Sequence, residues 1–165
     1  MNSKVTHINV GNLAENCWFL ANEDTKEAVV IDPGAEPDRI CAAAEKHGWK
    51  ITAILLTHGH IDHMGACESL RTELGVKVYA LTEEEDLLLD AKKNLSVFIE
   101  RKVVTFEPDE LLRDGQELTL AGMKIQVIHT PGHTPGGCSY YVAEAGCVFS
   151  GDTLFAESVG RSDFP

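Results

Sequence analysis

Four side chains of the types that bind metal ions lie within six positions of the chain: His58, His60, Asp62 and His63. Neutral imidazole and carboxylate groups suit zinc, iron or manganese. Residues at positions i and i+2 of an extended segment point to the same side, so His58 and His60 can reach one ion. A turn into a following helix would direct Asp62 and His63 toward a second ion. A polar loop without metal is the alternative, but packing does not explain four such side chains together.

Further candidates follow two predicted strands in the second half of the chain. His133 lies in a loop, residues 129–137, whose two prolines and three glycines make it rigid enough to fix a ligand. Asp152 comes directly after an apolar strand, where a carboxylate can bridge two cations or cap a turn. His129 shares a strand face with apolar residues, so it is predicted to pack or form a hydrogen bond and not to bind metal. Asp32 is predicted to shape a turn or support a ligand.

The hydrophobic pattern places these residues at the ends of predicted strands. Apolar runs and alternation predict strands at residues 5–10, 16–21, 28–31, 51–56, 76–80, 117–120, 123–128, 139–143 and 147–150. Helical periodicity predicts helices from Pro37 to about residue 47, over 66–74, and from 82 to about 93 with a capping box at its start. Residues 94–115 are predicted to be irregular. This order indicates an α/β fold with one or two mixed sheets and helices outside.

Length and composition describe a globular chain of one domain, residues 1–165. The net charge of −12 disfavours nucleic acid and anionic membranes as partners. No apolar run approaches the roughly 20 residues of a membrane span, and the first residues do not resemble a secretory signal. The five cysteines are odd in number and lack C-x-x-C spacing, so we expect small buried thiols in a reducing cytoplasm.

The motifs together resemble those of the metallo-β-lactamase fold hydrolases. The resemblance is carried by residues 57–63, 131–136 and 151–155, in that order and each at a predicted strand end. Within that superfamily the chain resembles the glyoxalase II-like branch, the hydroxyacylglutathione hydrolases. The resemblance implies an αββα sandwich, in which two mixed sheets have helices on their outer faces and metal ions at one rim.

The resemblance also implies a role for each candidate ligand. The first metal would be held by three histidines, namely His58, His60 and His133. Asp62 and His63 would hold the second metal, and Asp152 would bridge the two together with a water or hydroxide. Zinc is the expected cofactor, at one or two ions per chain, with iron or manganese as alternatives.

Two departures from the family pattern concern the end of the chain. In family members a further histidine, from a later loop, also binds the second metal. This sequence ends at residue 165 without a histidine at that place, so we expect a domain truncated at its C-terminus. The second site would then stand open with three protein ligands, because His129 is predicted not to reach it. Glutathione-specific members carry a lysine and a tyrosine near residues 160–165. There Arg161 is the candidate substrate-binding residue, and Asp163 stands near the tyrosine position.

The expected function is hydrolysis of a small-molecule thioester, possibly glutathione-linked, by a metal-bound hydroxide. Asp62 and Asp152 are the candidate catalytic carboxylates, and a thiolate leaving group needs little acid catalysis. The run at residues 160–164 also resembles persulfide dioxygenases, which would use one iron on His58, His133 and Asp152. A metal-stabilised scaffold without activity is the third possibility. We expect a cytoplasmic protein without nucleic-acid or membrane partners.

Overall fold

A computed structural model describes residues 1–155 and 158–160 of the chain, and its largest element is a six-stranded sheet. The strands follow chain order and are β1 (Ser3–Val10), β2 (Glu15–Asn22), β3 (Glu27–Ile31), β4 (Lys50–Leu55), β5 (Lys77–Leu81) and β6 (Glu110–Leu112). The first three strands pair antiparallel, whereas β3 to β6 run parallel. The parallel strands therefore end at the same edge of the sheet.

Helices cover one face of this sheet. They are α1 (Pro37–His47), α2 (Ile61–Met64), α3 (Cys67–Leu74), α4 (Glu85–Leu88) and α5 (Ser96–Ile99). Ile40 of α1 and Leu70 of α3 pack with Val30 and Ile54 of the sheet in one buried cluster. Burial of apolar area, worth about 25 cal/mol per Å², holds this layer on the sheet. No helix in the described part of the chain is long and apolar enough to cross a membrane.

A second sheet packs against the other face of the first. Its strands are β7 (Glu117–Leu120), β8 (Met123–His129), β9 (Cys138–Val142) and β10 (Cys147–Phe149), and neighbouring strands pair antiparallel. A short hairpin of β11 (Leu154–Phe155) and β12 (Ser158–Val159) follows. Side chains from the two inner faces, including Leu55, Ile125 and Tyr140, form a buried cluster between the sheets.

The layers refine the expected sandwich in two respects. The first sheet is mixed, as expected, but the four described strands of the second sheet pair only antiparallel. The described helices lie on the outer face of the first sheet, while the outer face of the second carries exposed Ile128, Tyr141 and Val148. The described residues therefore supply one helical layer and both sheets.

The segment after β5 differs from the sequence prediction. In place of the helix predicted from residue 82 to about residue 93, the structure has a 3₁₀ turn at Thr82–Glu84 followed by α4. After α4, the Asp90 side chain accepts hydrogen bonds from the backbone N–H groups of Lys92 and Lys93. The predicted capping box is wrong, because the Thr82 hydroxyl donates to the Leu112 carbonyl oxygen instead of capping the turn. Residues 94–115, predicted to be irregular, contain α5 and β6. Elements of three or four residues are too short to give a periodic signal.

One edge of the two sheets collects the ends of several strands. β3 and β4 end there because they run parallel, and β2 begins there because it runs antiparallel to β3. In the second sheet β8 and β10 end at the same edge, where the Cys138 N–H donates to the carbonyl oxygen of Thr57. The loops that leave these strand ends carry the candidate ligands.

Candidate metal centre

Three imidazoles from two loops meet at this edge. His58 and His60 lie in the loop between β4 and α2, and His133 lies in the loop between β8 and β9. The ring centroids of every pair are 4.9 Å apart, and the ring planes are inclined by 82° to 85°. One nitrogen of each ring lies within 4.8 Å of the corresponding nitrogens of the other two. The three histidines predicted to bind the first metal therefore converge on one point.

Burial keeps these imidazoles in the protonation state that binds metals. Burial, together with the neighbouring histidines, holds the pKa of His58 well below its usual value and that of His60 at about 3. Both rings are therefore neutral at neutral pH, with a nitrogen lone pair available to a metal. The Nε2 atom of His58 is buried without a hydrogen-bond partner among the described residues. The group thus fits a transition-metal ion.

A second group of ligand atoms surrounds Nε2 of His63, a residue of α2. The Oδ2 atom of Asp152 lies 3.2 Å from this nitrogen, and that of Asp62 lies 3.5 Å away. Asp152 Oδ2 is also 3.2 Å from Nε2 of His133 and 3.7 Å from Nε2 of His58. Burial raises the pKa of Asp152, but the hydrogen bonds from His133 and His63 outweigh burial and hold it below its usual value. An ionised carboxylate therefore stands between the two groups, where a bridging ligand is predicted.

Asp32 orients His63 from the opposite side of the ring. Its Oδ1 accepts a hydrogen bond from the Thr57 N–H at 2.8 Å, and its Oδ2 accepts one from the Thr57 hydroxyl at 2.6 Å. The same Oδ2 lies 2.9 Å from Nδ1 of His63, so Nδ1 carries a proton and Nε2 faces the other carboxylates. Burial lowers the pKa of His63, but the surrounding carboxylates, Asp32 first, outweigh burial and hold it well above its usual value. Asp32 supports a candidate ligand, as the sequence predicts.

Glu15, the first residue of β2, lies in the second group, although the sequence analysis does not single it out. The sequence predicts an open site with three protein ligands, but Glu15 Oε2 lies 3.2 Å from Nε2 of His63. Four residues have ligand atoms within 4.8 Å of one another: Glu15, Asp62, His63 and Asp152. His129 stays outside the group, as predicted, and donates from Nε2 to the Pro135 carbonyl oxygen at 2.8 Å.

The buried carboxylate of Glu84 ties the two histidine loops together. Its Oε2 accepts hydrogen bonds from the Gly59 N–H at 2.9 Å and from the Thr134 hydroxyl at 2.6 Å. Its Oε1 accepts a hydrogen bond from the Gly136 N–H at 3.2 Å. Gly59 belongs to the first histidine loop, and Thr134 and Gly136 belong to the second, so Glu84 fixes the distance between the loops. The sequence pattern does not identify this role, because it assigns Glu84 to a helix start, where acidic residues are common.

A close approach of two backbone segments also fixes the second group. A Cβ atom on Gly34 would lie 1.7 Å from the carbonyl oxygen of Asp62, so only glycine fits at this point. The Ala66 N–H donates to the Pro33 carbonyl oxygen across the same junction. The loop after β3 and the start of α2 are therefore held at a fixed separation.

The structure brings all six predicted ligands into two adjacent groups, and Oδ2 of Asp152, in the second group, lies within 3.7 Å of two histidines of the first. Imidazole nitrogens predominate in the first group and carboxylate oxygens in the second. Both donor types hold zinc, iron and manganese in proteins, so the residues fit one or two such ions. Arg161, the candidate substrate-binding residue, lies outside the described residues.

Comparison with known families agrees with this fold and donor set. The profile described as Metallo-beta-lactamase superfamily matches residues 10–165 of the chain. The chain belongs to the metallo-β-lactamase superfamily, whose members are metal-dependent hydrolases. The fold class implied by the motifs is thereby confirmed.

Two curated bacterial relatives are similar over most of the chain. The probable metallo-hydrolase YqgX of Bacillus subtilis (strain 168) is 38% identical over 155 residues, which cover 93% of this chain and 72% of the relative. The hydroxyacylglutathione hydrolase GloC of Haemophilus influenzae is 35% identical over 153 residues, which cover 92% of this chain and 72% of that protein. The relatives of this chain therefore include a glyoxalase II-like protein, as the motifs predict.

Two solved structures share the fold at similar levels of identity. The crystal structure of BLEG-1 B3 metallo-β-lactamase has a TM-score of 0.91 at 37% identity, with 98% of this chain and 78% of the other covered. The crystal structure of TTHA1623 in a di-iron-bound form has a TM-score of 0.83 at 36% identity, with coverage of 97% and 78%. A protein of similar fold therefore holds two metal ions.

Proposed function

We propose that the protein hydrolyses a small-molecule thioester of the hydroxyacylglutathione type, using one or two metal ions. The observation that carries this proposal is the pair of adjacent ligand groups that share the Oδ2 atom of Asp152. Such a shared carboxylate suits two neighbouring cations that act on one substrate. The similarity to the hydroxyacylglutathione hydrolase GloC supports the class of substrate.

We assign the ligands according to the group in which each lies. The first ion would be held by three imidazoles, those of His58, His60 and His133. Asp62 and His63 would hold the second ion, and Asp152 would serve both. Imidazole with carboxylate is a common zinc ligand set, so we propose zinc. Iron and manganese are the alternatives, because the second group is rich in oxygen and the TTHA1623 structure holds two irons.

The residues of the site prepare it for attack by water. Divalent ions in such sites lower the pKa of a bound water to about 7 and polarise the carbonyl group of a substrate. Asp32 keeps Nε2 of His63 facing the shared carboxylate by holding the proton on Nδ1. Asp62 and Asp152, the proposed catalytic carboxylates, would supply negative charge to hold the metal ions. The leaving group of a thioester is a stable thiolate, so the site needs no acid to protonate it.

The buried cysteines do not compete as nucleophiles. Burial raises the pKa of the Cys17 and Cys67 thiols well above the usual value and that of Cys138 to about 12. These thiols stay protonated at neutral pH, and the thiolate is the reactive form. Direct hydrolysis therefore fits the site better than a covalent acyl intermediate on one of these residues. We also place the protein in the cytoplasm, because all five cysteines are free.

Hydrolysis of S-lactoylglutathione by the purified protein tests the proposal. Release of glutathione, followed with a thiol-reactive dye, should require metal and should stop after chelation. His133→Ala should remove this activity and most of the metal found by elemental analysis, whereas His7→Ala, at an exposed position of β1, should change neither. Oxygen uptake with glutathione persulfide, or hydrolysis of a β-lactam, without thioester cleavage would overturn the substrate assignment. Protein that binds no metal would overturn the whole proposal.

A further inference from the structure

The segment between α4 and β6 forms a compact closed loop. Residues 89–104, the α5 loop, are closed at their base by the Phe106 N–H, which donates to the Leu88 carbonyl oxygen at 3.0 Å. The side-chain amide of the buried Asn94 donates to the carbonyl oxygens of Leu88 and Val104, at 3.3 and 2.8 Å. A loop whose ends are joined in this way holds its outer side chains at fixed places.

The α5 loop is joined to the start of α2, the helix that carries ligands of the second group. The Asn94 carbonyl oxygen accepts a hydrogen bond at 2.8 Å from the N–H of Ile61, the residue before Asp62. Ile99 of the loop lines a narrow cleft together with Asp62 and with Leu13, which lies in the turn before β2. The loop therefore forms one wall of an opening at the second ligand group.

The α5 loop is positively charged, in contrast to the chain as a whole. It contains two acidic residues and four cations, so its net charge is +2, whereas that of the chain is −12. The cations are Lys92, Lys93, Arg101 and Lys102. All four are exposed, and none forms an ion pair within residues 1–155 and 158–160. Exposed cations of this kind on an acidic protein favour an anionic ligand.

Two of these cations lie close to the second ligand group. Lys102 lines a cavity of about 180 Å³ together with Gly34 and Ile61, both of which adjoin Asp62. Arg101 has a left-handed backbone with a φ of 56°, which residues with side chains adopt rarely. Such strained positions are concentrated at functional sites. The strained residue and its neighbour therefore place two positive charges beside the opening.

Two glutamates also border this cavity, and one of them is already paired. Glu36 lies 2.9 Å from Arg39 and accepts a hydrogen bond from the Gly11 N–H at the same distance. Glu100 forms no ion pair with the part of the chain that the structure describes. Its negative charge therefore offsets part of the attraction between the neighbouring cations and an anion.

A substrate that reacts at the metal centre can reach these cations. Ile99 borders the cleft beside Asp62, and Arg101 is two residues further on, at most about 7 Å along the backbone. A thiol carrier of the size of a tripeptide extends about 10 Å. The thioester of such a carrier can therefore lie at the metal centre while an anionic group of the carrier lies at the loop.

We propose that Arg101 and Lys102 bind the anionic groups of the thiol carrier and thereby select substrates with a negatively charged carrier. This inference rests on the proposed hydrolysis of a thioester. The anionic groups are the carboxylates of a glutathione-type thiol or the phosphates of a coenzyme A-type thiol, both of which arginine and lysine bind. The site belongs to the α5 loop and is separate in the chain from Arg161, the residue that the family resemblance suggests.

Three acetyl thioesters with different carriers isolate the contribution of these cations in the zinc-loaded protein. S-acetylglutathione carries carboxylates, acetyl coenzyme A carries phosphates, and S-acetyl-N-acetylcysteamine is neutral. The double substitution Arg101→Gln/Lys102→Gln should lower kcat/KM about tenfold for an anionic carrier, because each exposed ion pair contributes a factor of up to about five. The value for the neutral carrier should stay unchanged. The larger of the two losses distinguishes carboxylate from phosphate as the group bound.

Two further variants check the sign and the place of the effect. Glu100→Gln should raise kcat/KM for the same anionic carrier by about twofold, because it removes a repelling charge. Lys46→Gln/Lys50→Gln is the matched control, since it removes two exposed cations at the end of α1 and the start of β4, on the opposite edge of the sheet. The control should treat all three thioesters as the wild type does. Added salt should reduce the preference of the wild type for an anionic carrier more than that of the double variant.

The outcomes separate this inference from the proposed function. Equal losses for all three thioesters would overturn it, because the cations would then act on the metal centre and not on the carrier. Unchanged cleavage of both anionic thioesters would also overturn it and leave the function in place. A lower molecular mass of the double variant in sedimentation, with all three substrates spared, would assign the loop to contact between copies of the chain. A wild type that cleaves none of the three, the neutral one included, overturns the carrier site and the function together.

Discussion

Replacement of Glu84 by glutamine should loosen the link between the two histidine loops. The residue is 1% exposed, and its two oxygens accept hydrogen bonds from Gly59, Thr134 and Gly136. Glutamine has the same shape but a single acceptor oxygen. If that oxygen keeps the bonds from Gly59 and Thr134, the new NH₂ group faces the Gly136 N–H. One buried donor is then left without an acceptor.

The expected loss of unfolding free energy follows from that donor. A buried N–H without an acceptor costs about 1–3 kcal/mol. Burial raises the pKa of Glu84, so glutamine also avoids part of the cost of burying a charge. This gain favours the lower part of the range, about 1–2 kcal/mol. In a chain of 165 residues each kcal/mol lowers the melting temperature by about 2–4 °C. We therefore expect a decrease of about 2–8 °C.

Thermal unfolding followed by circular dichroism measures this decrease, and competition with a chromophoric chelator measures zinc affinity. The affinity should fall by about 10–100-fold, because the loop that carries His133 loses its support against the other histidine loop. Glu83→Gln is the matched control, since Glu83 is the exposed neighbour of Glu84 and should behave like wild type in both assays. If the two variants melt together and bind zinc equally, then the Glu84 carboxylate does not hold the loops in place.

Two further substitutions test the supports of the second ligand group. Asp32→Asn should weaken zinc binding by about 10–100-fold. The amide has one acceptor oxygen, whereas the carboxylate uses two oxygens to hold Thr57 and His63. Unchanged affinity in the chelator assay would contradict this support role. Gly34→Ala should lower the free energy of unfolding by about 3 kcal/mol or more, because the new Cβ would meet a backbone oxygen at 1.7 Å. Gly115→Ala, which has open space and a φ of +80°, should cost only the left-handed strain of about 1–2 kcal/mol. Urea denaturation compares the two alanine variants, and equal losses would argue against the close approach.

The predicted ligands can be found from the sequence because local chain geometry decides where they point. His58 and His60 are two residues apart after a buried strand, and Asp62 and His63 belong to the helix that follows. The end of an apolar strand makes Asp152 only a candidate, and the resemblance to the metallo-β-lactamase fold hydrolases implies its bridging role. The direction of each side chain follows from residues within about ten positions, the range over which strand and helix periodicity act.

Glu84 shows how a local pattern can fit two structures. The three consecutive glutamates at residues 83–85 suit the start of a helix, so the pattern predicts a capping box. The fold instead turns the middle one inward, where donors from two other loops need an acceptor. Those donors are 25 to 52 residues away along the chain. A periodicity argument uses only residues close to Glu84 along the chain. These donors lie outside that range, so the argument cannot detect them.

The position of Glu15 depends on the direction of its strand, which the sequence pattern does not contain. Alternation with a period of two reads the same from either end, so residues 16–21 predict a strand without telling which edge it starts from. Pairing with β3 settles the direction, because an antiparallel neighbour begins at the edge where a parallel strand ends. The chain has 26 acidic residues, and local pattern does not distinguish Glu15 from the others. Sheet topology therefore determines which carboxylates lie near the histidines. That topology is set by strand pairing, which a local sequence pattern does not contain.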